Sequence, residues 1–140
     1  MRERAGNGLE FDAALARGAF SLEAAFVAAP GEIVALVGPS ASGKTTCLEL
    51  IAGLVTPGRG RIALGGEALF DAAAGVDLPP QRRRAGLVFQ DYALLPHLTV
   101  RENVAYGPRA RGRSRAAAHG EAARWIERLG LSPVADRRPP

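Results

Sequence analysis
The sequence predicts an α/β domain, and three observations predict it. The run Ile33-Val34-Ala35-Leu36-Val37 is apolar at every position, as a parallel strand covered on both faces would be. A glycine-rich loop follows it directly, and beyond the loop Leu48, Ile51, Ala52 and Val55 fall at helical spacing. The stretch AGLVFQ, 85–90, is a second buried-strand candidate that ends on the polar Gln90.

The other elements follow in chain order. LEFDAAL (9–15) and AFSLEAAF (19–26) read as short strands joined by a hairpin turn at Arg17-Gly18, although their alanines also permit helix. APGE is a turn, and Gly53 is placed to end the helix that starts at Lys44. GRGRIALGGEALF (58–70) reads as a strand and tight turn, and AGVDLPPQRRR (74–84) as an exposed loop. The stretch 100–106 is predicted to form a short helix capped by Thr99, with Glu102 near its positive end. PRARGRSR is a basic connector of the solvated kind. Ser114 then caps a helix reaching Leu129, with Ala118, Ala122, Trp125, Ile126 and Leu129 as one apolar stripe and Gly130 beyond its end.

Hydrophobic residues at 47% and charged residues at 23% argue for a folded core rather than disorder over these 140 residues. The formal charge of +4 comes from basic clusters at 82–84, 109–115 and 137–138, and no nucleic-acid partner is expected from them. Cys47 is the only cysteine, so an intramolecular disulfide and a cysteine-cluster metal site are both ruled out, and it reads as a small buried hydrophobe. The start, MRERAGNGLEF, lacks a signal-peptide core, and no uncharged apolar run reaches about 18 residues. The expected location is the cytoplasm.

Of 18 lysines and arginines only one, Lys44, is a lysine, and it sits in GPSASGKTT. Gly38, Gly43, Lys44 and Thr45 fit G-x-x-x-x-G-K-[ST] between a strand and a helix, the context that makes this pattern a P-loop rather than a chance match or a bare anion nest. Phosphates need many donors at close range, and the amides of Ser42, Gly43, Lys44, Thr45 and Thr46 would supply them where the loop wraps into a helix N-terminus. Gly38, Pro39, Ser40, Ala41, Ser42, Gly43, Lys44, Thr45 and Thr46 are therefore the candidate ATP-binding residues. Lysine suits position 44 because a compact point charge on a flexible stem fits between two phosphates, where a planar arginine fork demands bidentate geometry. The Thr45 hydroxyl is the expected Mg²⁺ ligand, since that ion prefers oxygen donors.

At GLVFQDYALLPHLTVRENVAYG (86–107) the chain resembles the ATP-binding subunits of ABC transporters of the bacterial importer type. The resemblance places Gln90, about 45 residues after Lys44, at the Q-loop glutamine, which helps coordinate Mg²⁺ and the attacking water. It also implies that residues 91–104 receive a helix of a transmembrane subunit. The chemistry suits a glutamine, whose amide ligates a hard cation and orients water without adding charge. The fold implied is the N-terminal part of a P-loop NTPase of the ABC ATPase kind. It comprises an antiparallel β subdomain beginning in 1–32, a phosphate-loop core through the Q-loop strand in 33–90, and the Q-loop with the start of a helical subdomain in 91–140.

Upstream of Asp91 the chain is most similar to molybdate-import ATPases, in its opening strands, its G-R-I-x-L-x-G turn and the loop before RRR. Sulfate, iron and spermidine importers share many of these features. The resemblance implies a cytoplasmic ATPase on the inner face of the membrane that pairs with a second ATPase subunit. It departs from the family in two places. The aromatic residue usual before the first hairpin glycine is replaced by Ala16-Arg17, leaving the Arg17 guanidinium or Phe20 to stack on adenine, with core packing an equal reading for Phe20. The LSGGQ-type signature, Walker B carboxylates and switch histidine would all follow Pro140, and His97, His119, Asp91 and Tyr92 take none of those roles. Without them residues 1–140 are expected to hold MgATP weakly without turnover, and without flanking strands to be marginally stable. A non-catalytic nucleotide-binding or interaction module, and a basic nucleic-acid binder, are the alternative classes.

Overall fold
A computed structural model describes residues 7–139, in two compact units, Met1–Leu87 and Val88–Pro140. The charged start, residues 1–6, and Pro140 lie outside the described residues.

The first unit is built on an antiparallel sheet. Strands β1 (Leu9–Arg17) and β2 (Phe20–Ala28) pair along their whole length around a turn at Gly18. Strand β3 (Arg59–Leu64) adds to the other side of β1, followed by β4 (Glu67–Asp71) and β5 (Val76–Asp77), giving the order β2-β1-β3-β4-β5. The alanine-rich hairpin is strand rather than helix because its larger side chains alternate with period two. Phe11 and Ala13 of β1 and Leu22 of β2 are buried, and the paired Phe11 and Phe26 rings stack with centroids 4.8 Å apart.

Helix α1 (Lys44–Ala52) lies against this sheet, joining Cys47 and Leu50 to Phe11, Leu22, Ile62, Leu69 and Phe70 in one core. The seated face runs through Cys47, Leu50 and Ile51, whereas Leu48, expected on it, is 45% exposed. Positions 47, 50 and 51 share a helical face, and position 48 lies about a quarter-turn aside. The helix ends where expected, at Gly53, with φ of 79° and an amide that donates to Leu50 O.

Two strand expectations are corrected. Residues 33–37 and 85–90 form no strand, and among the described residues neither run has a ladder partner. A strand exists only through hydrogen bonds to a neighbour. Ile33 and Val37 stand 96% and 88% exposed, Val88 84%, and only Leu36 of the first run packs against the core. The exposed loop at 74–84 is also corrected: it contains β5 and a 3₁₀ turn, Pro80–Arg82, and its Arg83 is almost fully buried.

The second unit pairs α2 (Val100–Ala110) with α3 (Arg115–Arg128). Both start at the expected residue. Thr99 and Glu102 form a reciprocal capping box, and Ser114 Oγ accepts from the Ala117 amide. Ala105, Ala118, Ala122, Ile126 and Ala135 make a seam of mostly small residues. The wider stripe expected on α3 is corrected: Trp125 and Leu129 are 47% and 61% exposed, and Trp125 lies under the Arg128 guanidinium at 5.3 Å. The seam is narrow because, among the described residues of this unit, α2 and the 131–135 turn are what pack against α3, and Trp125 and Leu129 lie outside their reach.

Two outcomes follow. Gly53→Ala is expected to destabilise the first unit, since a left-handed alanine costs about 1–2 kcal/mol and its Cβ would also lie 2.7 Å from Arg83 Cζ; urea unfolding reads the loss. In the second unit, bonds from the Thr99 amide and hydroxyl hold the Glu102 carboxyl below its ordinary value of 4.5, with Arg115 and His119 adding smaller charge effects. A lowered folded pKa gives stability that is complete above the unfolded value and is lost as pH falls through the folded one. Melting of α2 with acid should therefore lose part of its pH slope in Glu102→Gln, leaving the contribution of Asp136, held down by Arg101.

Candidate phosphate-binding site
The loop of residues 38–43 enters α1 through a left-handed residue, Gly43, with φ of 94°. Glycine is required there twice over. The backbone sign disfavours any side chain, and a Cβ would meet Leu22 Cδ1 at 2.9 Å and the Phe20 ring at 3.3 Å. The start of α1 is thus pressed onto β2, and because its N-cap is glycine no side chain covers the first amides. The other two α-helices have side-chain caps at Thr99 and Ser114, so α1 alone among them turns its amides outward.

Lys44 folds back over the loop. Its ammonium donates to Gly38 O at 3.0 Å, Pro39 O at 2.6 Å and Ser42 Oγ at 3.4 Å, which curls the loop around the charge. A cleft of about 250 Å³ opens here, lined by Phe20, Ala41, Ser42, Gly43, Lys44, Thr45 and Thr46. A positive charge beside uncapped helix amides is the arrangement that suits an anion. Thr45 is exposed at its edge, and among the described residues its hydroxyl makes no hydrogen bond, so an oxygen donor is free for a hard cation. No cluster of three His, Cys, Asp or Glu that could hold a metal ion occurs among the described residues. Phe20 packs against the sheet core, one of the two readings of its sequence position, and also lines the cleft. Cys47, just inside the helix, is buried, and burial pushes its thiol up.

Ala41 is a motif residue whose backbone conformation no spacing pattern reports. It sits at φ of 62°, a region alanine disfavours.

Gln90 belongs to the second unit, where it is exposed in a turn rather than at the end of a strand. Tyr92 and Ala93 follow with φ of 60° and 45°, lifting Tyr92 to 75% exposure. The same unit forms a hollow of about 350 Å³ lined by Tyr92, Ala93, Leu94, Leu95, Asn103, Val104 and Tyr106. Asn103 shapes it. Its side chain accepts from the Leu95 amide and donates to the carbonyls of Leu95, Leu98 and Thr99, tying the loop to α2. His97 lies on the exposed loop and His119 on α3.

Residues 23–140 match the family model described as ABC transporter. The chain belongs to the ABC transporter family. It is 42% identical over 122 residues to a molybdenum import ATP-binding protein ModC of Mycobacterium tuberculosis, an alignment covering 84% of this chain and 33% of the relative. The protein of the same name from Brucella melitensis is 45% identical over 126 residues, covering 87% and 33%. The chain therefore spans about a third of the length of the curated relatives it matches. A dimeric ATP-binding cassette, MJ0796, solved in a post-hydrolysis state bound to ADP and Pi, shares the fold with a TM-score of 0.74 at 24% identity, covering 94% of this chain and 61% of that one. The family is one of ATP-hydrolysing, nucleotide-binding proteins, and the chain has the expected fold of an ABC ATPase with an antiparallel β part.

The strain at Ala41 is open to test. Ala41→Gly removes a penalty of about 1–2 kcal/mol while loosening the unfolded chain by about 0.4–1 kcal/mol, so stability is expected to hold or rise slightly. Ala41→Val places a β-branched residue at positive φ and should cost more than about 2 kcal/mol. Unfolding midpoints should place Ala41→Gly at or above the parent and Ala41→Val below it.

Proposed function
We propose that this chain is the nucleotide-gripping part of an importer ATPase. The whole protein would couple binding and hydrolysis of MgATP to uptake of an oxyanion such as molybdate. One observation carries the reading: the uncapped start of α1 and the Lys44 ammonium converge on a single cleft. The names of the ModC relatives support the cargo.

In this reading the amides of residues 42–46 hold the phosphate oxygens, and Lys44 exchanges carbonyl partners for the β- and γ-phosphates. Gly38, Pro39, Ser40 and Ala41 form the turn that brings the loop backbone close. Thr45 and Gln90 hold Mg²⁺, which neutralises the phosphate charge, and Gln90 also orients the attacking water. Phe20 offers its ring to the base in place of the missing aromatic before Gly18. The hollow around Tyr92, Leu94 and Tyr106, within and beside residues 91–104, receives the transmembrane subunit. A second ATPase subunit completes the assembly on the inner face of the membrane. No described helix is long and apolar enough to cross a membrane.

Lys44→Ala removes a charge-assisted contact worth about 1.5–3 kcal/mol, so MgATP affinity should fall about 10- to 100-fold by titration calorimetry. Unchanged affinity would rule the cleft out. A polypeptide of residues 1–140 should bind MgATP without turnover, because no carboxylate lines the cleft. Hydrolysis by it that disappears in Lys44→Ala would show that positioning by the loop suffices.

A further inference from the structure
The side chain most completely withdrawn from water in the first unit, relative to its polarity, is Arg83, whose guanidinium is 1% exposed. Its four bonds converge on one place. Nη1 donates to Leu50 O at 2.7 Å and Ile51 O at 3.4 Å, carbonyls in the last turn of α1, while Nε donates to Leu78 O at 2.6 Å. Nη2 donates to Asp77 Oδ1 at 2.7 Å, and the other oxygen of Asp77 accepts from the Thr56 hydroxyl at 3.0 Å. The C-terminal end of α1 is thus fastened to β5 both through Arg83 and through Thr56, just past the helix.

A buried arginine is costly unless its donors are satisfied, and here the carbonyls of Leu50, Ile51 and Leu78 and the Asp77 carboxylate accept from it. The charge also complements the negative end of the helix. The other end of α1 is the phosphate loop. We propose that Arg83 is a positioning residue for phosphate binding: by fixing the C-terminal end of α1 it fixes where the loop amides at the N-terminal end point.

The geometry gives the reason. Helix α1 is nine residues long, about 13 Å, so a tilt of about 5° moves one end by about 1 Å. Its middle is held by Cys47 and Leu50, which are apolar contacts without direction. Direction comes from the ends, from Gly43 seated on Leu22 and Phe20 and from the guanidinium fork on Leu50 and Ile51. Hydrogen bonds to amides weaken steeply with angle, so a displaced loop would keep its charge and lose its aim. Lysine at position 83 would keep the charge but could not span the carbonyls of Leu50 and Leu78 and the carboxylate of Asp77 at once.

The inference rests on the proposed phosphate site, and the experiment separates the two. Pyrophosphate and MgATP affinities are measured by calorimetry on the complete protein and on Arg83→Lys, Arg83→Met and Asp77→Ala, together with urea midpoints and the amide chemical shifts of Gly43, Lys44 and Thr45. Arg83→Lys is expected to weaken both ligands by about 5- to 10-fold and to move those amide shifts in the ligand-free protein. Asp77→Ala should do the same to a smaller extent, about 2- to 3-fold, as a lost hydrogen-bond partner would. A purely structural role would lower the urea midpoint and leave the affinity and shifts of the folded protein unchanged, and that result overturns the proposal. If Arg83→Met does not fold, Arg83→Lys and Asp77→Ala decide. If the parent protein does not bind pyrophosphate, the phosphate site and this inference fall together.

Discussion
The seating of α1 on the antiparallel sheet is the interaction on which the rest of the first unit depends. Cys47 and Leu50 meet Phe11, Ile62 and Leu69, residues from β1, β3 and β4, so one short helix ties together strands far apart in sequence. Apolar contact of this kind holds the helix near the sheet without specifying its tilt. The polar and conformational details at its two ends supply that specification. At one end glycine permits a left-handed turn pressed onto β2, and at the other a buried guanidinium donates to carbonyls of the last turn. The N-terminal amides remain uncapped because the residue that would cap them has no side chain, and an anion site is what such an end provides.

How much of this was legible differs by element, for physical reasons. The helix ends were readable because caps are local: Thr99 with Glu102, Ser114 and Gly53 each act within a few residues of the terminus they set. The hairpin and the β3–β4 turn were readable from period-two alternation and paired glycines. The runs at 33–37 and 85–90 were misread because an all-apolar pattern reports that a segment suits burial, not that a partner is present to bury it. Ile33, Val37 and Val88 have the composition of doubly covered strands and stand exposed. Trp125 and Leu129 repeat the lesson on a helix, where spacing assigned a stripe wider than the surface available to cover it.

The site shows the same division. The loop's residues could be named from their spacing because phosphate binding depends on contiguous backbone. Arg83 could not, since it reaches α1 across 33 positions of sequence and is one of three consecutive arginines in a chain that uses arginine almost everywhere. Its neighbours Arg82 and Arg84 are exposed, and only the register of the 3₁₀ turn at Pro80–Arg82 decides which of the three turns inward. Gly53 was a partial signal. It was read as a helix stop, and the structure gives it a second duty, leaving room for the Arg83 side chain where a Cβ would intrude.

Asn103 and Arg83 illustrate one economy in two places. Each is a planar polar side chain that bonds to several backbone groups at the end of a helix and in the loop beside it, Asn103 at Leu95, Leu98 and Thr99, Arg83 at Leu50, Ile51 and Leu78. Irregular backbone beside a binding surface carries unpaired donors and acceptors, and a side chain able to bond to several of them at once fixes its shape without extending a strand or helix. Between them, residues 84–99 form no helix or strand and contain Gln90 and the left-handed Tyr92 and Ala93, so this irregular stretch has a multiply bonded polar side chain close to each end.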